Sequence, residues 1–481
     1  MAGLGRVLLL ALALPFLSGC ILDEEHLDVS TPAAPAHFRA EAAPDAPAVS
    51  ADWAKGFDSP ELVTLVGEAR AANFDIAAAV ARIVQADAEA RIAAAPLYPM
   101  LGGTAGASRS VSPGTIRSQD PPFKSDVSNL FSLGVNASYT LDFFGKNQAA
   151  AEAAQLAAEG SRYDRDVVEL ASVASVATTY FTILAAQDRL RIAHANIAAA
   201  EGVLTAIKTR FEVGTAAALD VAQQESLVAI QRAAVPNLEQ SLQQSRDALA
   251  VLIGRTPESV NVQGGSLARL AVPRVRPGLP SDLLLRRPDI AAAEAQLVAE
   301  KASVAAARAA FFPTITLTSD VGVESLFLKT LLRPDAIAAN VAAGLTQPIF
   351  DGGNLQGQLD LAKGHYGELL QDYRKTIVQA LADVENALIA VQQTTSYEKL
   401  QSVAVATAQK AYQLTQERLQ EGTIDIVTLV TTEQTMFQAE DTLAVVRLSR
   451  LQAIVSLYQA LGGGWSKEAS APHLQEAASA Q

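Results

Sequence analysis

The stretch 132–143 alternates along its length. Leu133, Val135, Ala137, Tyr139, Leu141 and Phe143 are interleaved with Ser132, Gly134, Asn136, Ser138, Thr140 and Asp142, the period of two that gives a β-strand one apolar and one polar face. Ile315, Leu317, Val321 and Val323 alternate in the same way with Thr314, Thr316, Thr318 and Asp320. Weaker alternation predicts further strands near 101–110 and 338–349. The period then changes. The segments 146–211 and 354–419 contain no proline and few glycines, and Val167, Leu170, Val173, Val176 and Ile183 fall at spacings of three and seven. Each such segment predicts one continuous helix of about 66 residues, roughly 100 Å long at 1.5 Å per residue. A helix of that length needs neighbours along it.

These elements occur twice in the same order. Asp75-Ile76-Ala77-Ala78-Ala79 returns as Asp289-Ile290-Ala291-Ala292-Ala293, and Pro99 returns as Pro313, both 214 positions later. Phe143 and Asn147 correspond to Phe350 and Asn354, Gly254 corresponds to Gly462, and the segment from Arg210 to Thr215 corresponds to that from Arg418 to Thr423. An internal repeat of this kind sets the domain plan. It runs as a leader over 1–19, a Pro- and Ala-rich tether over 20–52 and a first repeat over 53–254. An equatorial linker over 255–280, a second repeat over 281–465 and a flexible tail over 466–481 follow. Each repeat reads helix, strand, loop, strand, long helix, turn, long helix.

Strands with one apolar face suit either a half-exposed soluble sheet or a transmembrane barrel, whose strands need about 9–11 residues. Four strands per chain are too few to close, and open edges are not viable in lipid, so a barrel has to be pooled between chains. A trimer with about twelve strands is the smallest closed assembly expected to leave a water-filled lumen. The loops 108–129 and 324–340 would then lie outside. The long helices alone fit a soluble coiled-coil scaffold equally well; following barrel strands, they extend its lumen.

Composition narrows the class. The chain has 481 residues, 49% hydrophobic and only 5% aromatic, with a formal charge of −14. Acidity without a basic run argues against a nucleic-acid partner. Arg6, the apolar run 7–16 and Leu17-Ser18-Gly19-Cys20 have the form of a signal peptide, too short to span a membrane as a stable helix. The ending resembles a bacterial lipobox, which would make Cys20, the single cysteine of the chain, a lipid-bearing first residue. Ile21 and Leu22 follow it, so nothing resembles a signal for retention at the inner membrane. No phosphate-binding loop, dinucleotide fingerprint, nucleophile elbow or metal-type histidine pair is present; His26, His37, His194, His365 and His473 are scattered. An enzyme is not expected, nor a cofactor other than the lipid on Cys20.

The run from Gly278 through Pro280-Ser281-Asp282-Leu283-Leu284-Leu285-Arg286-Arg287-Pro288-Asp289-Ile290, with Ala309-Ala310-Phe311-Phe312-Pro313 and Ala460-Leu461-Gly462-Gly463-Gly464-Trp465, resembles the NodT-type outer-membrane efflux lipoproteins of the TolC-like outer-membrane factor family. The resemblance covers nearly all of the mature chain. It implies a mainly α fold with a membrane β-barrel: a TolC-like homotrimer with a 12-stranded barrel continued by a long periplasmic α-helical barrel. It also implies a periplasmic membrane-fusion adaptor and an inner-membrane pump as partners, outer-membrane lipid around the barrel, and a passive efflux role. Type I protein secretion and a non-channel coiled-coil spacer are the alternatives. In the family the Arg-x-x-x-Gly-Thr turns form a closed periplasmic tip. Here that tip comprises Arg210, Gly214 and Thr215, and Arg418, Gln420, Glu421, Gly422, Thr423 and Asp425. Arg210 and Arg418 suit either adaptor contact or complementing the helix dipole. Asp220 lies where relatives carry an acidic gate residue, but the second repeat has Thr428 and Thr431 at the matching places, so a double carboxylate ring is absent. Val427 lies where related lipoproteins place an apolar constriction.

Overall fold

A computed structural model describes residues 32–39, 49–113 and 126–467. The leader, Cys20, much of the tether, the centre of the first loop and the tail after 467 lie outside the described residues. The elements are α1 (Pro60–Ala72), α2 (Phe74–Ala94), β1 (Met100–Ser112), β2 (Asp126–Leu141), α3 (Lys146–Glu212), α4 (Ala218–Leu252), α5 (Pro288–Ala309), β3 (Thr314–Ser325), β4 (Ile337–Thr346), α6 (Asn354–Gln420) and α7 (Ile426–Ala460), joined by short 3-10 turns. Both long helices are 67 residues, and both shorter partners are 35. β2 begins six residues before the expected alternation and stops at Leu141, leaving Phe143 beyond its end. β4 stops at Thr346, just before Pro348, which has no N–H to give a ladder.

The described residues divide into two compact units, one of 83–160 with 293–372 and the other of 32–39, 49–82, 161–292 and 373–467. The first holds the sheet, antiparallel throughout in the order β1-β2-β3-β4. Its register pairs Leu101 with Ala137, Gly134 with Gly322, and Val321 with Ala339. Odd-numbered positions therefore align across all four strands, as do even-numbered ones. The odd face carries Leu101, Val111, Phe131, Leu133, Val135, Tyr139, Leu141, Ile315, Leu317, Val321, Val323, Ile337, Val341 and Leu345. The even face carries Thr104, Ser132, Asn136, Ser138, Thr140, Thr316, Thr318, Asp320, Glu324 and Asn340. Every residue of β4 is exposed in the single chain, Val341 to 80%, and β1 forms the other open edge.

The second unit is helical. An aromatic core of Trp53, Phe57, Tyr180, Phe181 and Tyr458 is buried with Leu62, Ile183, Leu249 and Ile454; Trp53 stacks on Tyr458 at 5.1 Å. One window of α3 is long and apolar enough to cross a membrane by composition, yet half of it is buried within the protein, and its Val173, Val176 and Ile183 belong to this core. Ser59 starts α1 by accepting from the Leu62 amide at 3.2 Å, with Pro60 in the first turn, an arrangement that meets one orphan N–H and spares another. The linker contributes Val262 and Leu267 to the core. The described part of the tether docks too: Phe38 packs against a buried cluster that includes Leu283, Val384 and Leu388, and the Arg39 amide donates to Glu385 at 3.1 Å.

The two repeats close in the same way within this unit. Asn73 Nδ2 donates to the Leu252 carbonyl at 2.7 Å, and Arg287 Nη1 donates to the equivalent Ala460 carbonyl at 3.1 Å. Arg287 also pairs with Asp289 at 2.6 Å and Asp383 at 3.3 Å. Gly254 and Gly462 follow those carbonyls at φ +69° and +82°, and a Cβ there would sit 2.2 Å from Ala72 O and 1.9 Å from Arg286 O respectively. Glycine at the end of each repeat is thus required by backbone conformation and by contact.

Candidate functional site

The residues singled out at the two turns gather at one end of the helical unit. Both Arg-x-x-x-Gly-Thr segments are helix C-terminal caps. In the first, the Thr215 amide and hydroxyl both donate to the Arg210 carbonyl, at 2.8 and 3.0 Å, and the Gly214 amide donates to Phe211 O at 2.9 Å. In the second, Thr423 does the same to Arg418 O at 3.0 and 3.1 Å, and Gly422 donates to Leu419 O at 3.1 Å. Gly214 and Gly422 supply the left-handed residue at φ +77° and +72°. This is the Schellman pattern, which satisfies carbonyls a helix would otherwise leave open. The Arg210 side chain reaches the other repeat, with Nη1 3.3 Å from Leu419 O, so it complements the C-terminus of α6 rather than only that of its own helix. Arg418, Gln420 and Glu421 are exposed.

The outgoing helices begin with a carboxylate cap whose location differs between repeats. At α4, Asp220 Oδ2 accepts from the Ala217 amide at 2.8 Å. At α7 the carboxylate has moved to the position equivalent to Ala217: Asp425 Oδ1 accepts from the Thr428 amide at 2.9 Å and its hydroxyl at 2.6 Å. One helix is capped from inside and the other from its N-cap, with the same N-terminal dipole met by negative charge each time. The Thr428 hydroxyl and then its amide hold Asp425 below its ordinary value. Thr431 donates its hydroxyl back to Val427 O at 2.8 Å. Val427 is 48% exposed and Leu219, its counterpart, 64%, so this end of the single chain presents apolar side chains, Phe211 and Val213 among them.

Deeper in lies a polar cluster that the motifs did not reveal. Glu433 and Gln224 are fully buried. Gln224 Nε2 donates to Glu433 Oε2 and to Ala200 O, both at 3.1 Å. Tyr412 Oη donates to Glu433 Oε1 at 3.3 Å, and Gln416 Nε2 donates to Tyr412 Oη at 2.7 Å. The cluster thus bonds α3, α4, α6 and α7 to one another, amid Ile207, Val228, Ile426, Leu429, Met436 and Phe437. Burial raises Glu433 above its ordinary value, its bonds from Gln224 and Tyr412 opposing the shift; burial and the adjacent carboxyl push Tyr412 up strongly. Its signal in the sequence was a polar residue occupying an apolar stripe, since Ile426, Leu429, Glu433, Met436 and Phe437 share one helix face. Among the described residues no His, Cys, Asp or Glu group is placed to hold a metal ion.

The profile of the outer membrane efflux protein family matches residues 65–255 and again 279–463. The chain belongs to the outer membrane efflux protein family. This efflux protein is 41% identical over 418 residues to the pyoverdine export outer membrane protein OpmQ of Pseudomonas aeruginosa, covering 86% of this chain and 88% of the relative. It is 30% identical over 421 residues to the cation efflux system protein CusC of Escherichia coli O6:H1, covering 87% and 89%. Its fold superposes on the outer-membrane channel OprN with a TM-score of 0.81 at 27% identity, covering 91% of this chain and 99% of that one. The expected family, the TolC-like channel fold and the outer-membrane location are therefore established, and with them the role of outer-membrane channel component in a tripartite efflux system.

Proposed function

We propose that this efflux protein works as a passive homotrimeric exit duct for small molecules, docked through its turns onto a periplasmic adaptor that couples it to an inner-membrane pump. The sheet carries the reading. Four antiparallel strands with an apolar odd face, a hydroxyl-rich even face and two open edges need partners in lipid, and three copies close twelve strands around a lumen wide enough for water. The even face then lines the duct and contributes Asp320 and Glu324 as its charges. A coiled-coil spacer would have no use for such a sheet.

A lipid on Cys20 adds a second attachment, each buried methylene contributing about 0.8 kcal/mol. The chain performs no catalysis in this scheme, and transport energy enters through the pump. Arg210, Gly214, Thr215, Arg418, Gln420, Glu421, Gly422, Thr423 and Asp425 form the adaptor-facing tip. Val427 makes the apolar constriction, and Asp220, Thr428 and Thr431 line the gate beside it. Small molecules rather than proteins are the cargo, in keeping with the pyoverdine and cation exporters it resembles, and a released metabolite of the pyoverdine kind is the first substrate to test.

The test is photo-crosslinking from Gln420 in cells, followed by identification of the captured protein. Capture of an adaptor whose pump exports small molecules supports the reading; capture of an adaptor from a protein-secretion system moves the cargo to proteins. Capture of peptidoglycan-layer scaffolds alone sinks the duct.

A further inference from the structure

The buried cluster inside the turn-bearing end has no part in capping, anchoring or lining. It joins the two repeats: Gln224 belongs to α4 of the first and Glu433 to α7 of the second, and both side chains are fully buried. Among the described residues no cation accompanies the carboxyl. Of the charged groups on the four surrounding helices, Lys208 pairs with Glu225 at 2.7 Å and Arg232 with Glu201, in both cases on exposed surface. Glu440 accepts from Gln409 and Asp441 from Arg189, Asp220 and Asp425 cap their helices, Arg210 reaches Leu419 O, and Lys410, Glu417 and Arg418 are exposed. Tyr412 is the titratable side chain that faces Glu433, and Gln224 Oε1 is buried with no hydrogen-bond partner. A buried carboxyl held by neutral donors beside an orphaned amide oxygen is costly to leave charged and costly to pull apart unhydrated.

We propose that Gln224, Glu433 and Tyr412 are positioning residues forming a pH-sensitive latch, which holds the two helix pairs of one protomer together and loosens when Glu433 loses its proton. The latch rests on the reading of this end as the gated end of a duct. In the protonated state Glu433 can donate to Tyr412 Oη while its other oxygen accepts from Gln224 Nε2. Loss of that proton to water leaves a carboxylate with two donors and no counter-charge. Separating α4 from α7 admits water to it and to Gln224 Oε1.

The sign follows from the buried state favouring the neutral form. The latched state is fully favoured below the ordinary carboxyl value of 4.5, and its advantage falls as pH rises from there to the shifted value. Over that window opening increases about tenfold per pH unit. The measurement is hydrogen exchange of the full-length trimer in detergent between pH 5 and 8, corrected for intrinsic rates, in peptides covering 218–230 and 424–436. Conductance in planar bilayers is recorded in parallel. Wild type should exchange faster as pH rises while Glu433→Gln stays flat; Tyr412→Phe, which keeps the ring, should extend the rise to higher pH and serves if the first variant fails to fold. A flat wild type, a Glu433→Gln variant that keeps the wild-type slope, or a Tyr412→Phe variant whose rise ends at the same pH as wild type overturns the latch. A pH-dependent exchange with no conductance at any pH supports the latch and instead overturns the duct.

Discussion

Two glycines with the same backbone conformation separate conformational need from contact. Gly214 and Gly462 both sit near φ +80°, but nothing lies within 4 Å of a Cβ at Gly214, whereas one at Gly462 would meet Arg286 O at 1.9 Å. Gly214→Ala should therefore cost only the left-handed penalty of about 1–2 kcal/mol and leave trimer yield nearly unchanged. Gly462→Ala must also displace the backbone that Arg287 anchors to Ala460 O, and its folded yield from membranes should fall steeply. Equal yields for the two variants would show that contact at the repeat end is unimportant. The glycine positions were legible in the sequence because they recur between repeats. The reason for each was not, since the carbonyl that Gly462 meets is 176 residues away in the chain.

At the scale of elements, helix ends decide how the turns are built. The carboxylate that caps α4 from within caps α7 from its N-cap, so the sequence difference between Asp220 and Thr428 preserves a cap while relocating its charge. Asp425 is held below its ordinary 3.8. Its contribution to the start of α7 is fully present above that pH and is lost as pH falls through the lowered value. As pH falls below 3.8, amides 426–430 should come to exchange faster relative to the rest of α7 once intrinsic rates are removed, and Asp425→Asn should weaken that dependence. The long helices were plain in the sequence from their length without proline. The buried knot was not: Glu433 interrupts an apolar stripe, but its partners Gln224 and Tyr412 lie on other helices and meet it only in the closed fold.

At the scale of the molecule, the sheet register makes a test of face. Val341 lies on the odd, apolar face and Ala342 on the even one, one residue apart. In lipid, Val341→Lys should destabilise the assembled barrel by about 2–4 kcal/mol near the midplane, while Ala342→Lys, facing the lumen, should be tolerated and change conductance instead. Heat-resistant trimer on a detergent gel reads the first effect and bilayer recording the second. Equal loss for both would mean that the odd face does not meet lipid.

The sequence by itself determined the repeat, the order of helices and strands, the alternation of the strands and the glycine turns, because these depend on periodicity and on backbone preferences carried within a few residues. Strand ends shifted where alternation was diluted by small residues such as Gly103, Ala105 and Ala107 in β1 or cut short before Pro348. Tertiary structure alone decided that Arg210 caps the other repeat's helix, that Arg287 and Asn73 do the same work at two repeat ends, and that one carboxyl at Glu433 is sealed from water. Those outcomes depend on which groups meet across hundreds of residues, and the cost of burying a charge or an unpaired amide appears only once the helices have closed over it.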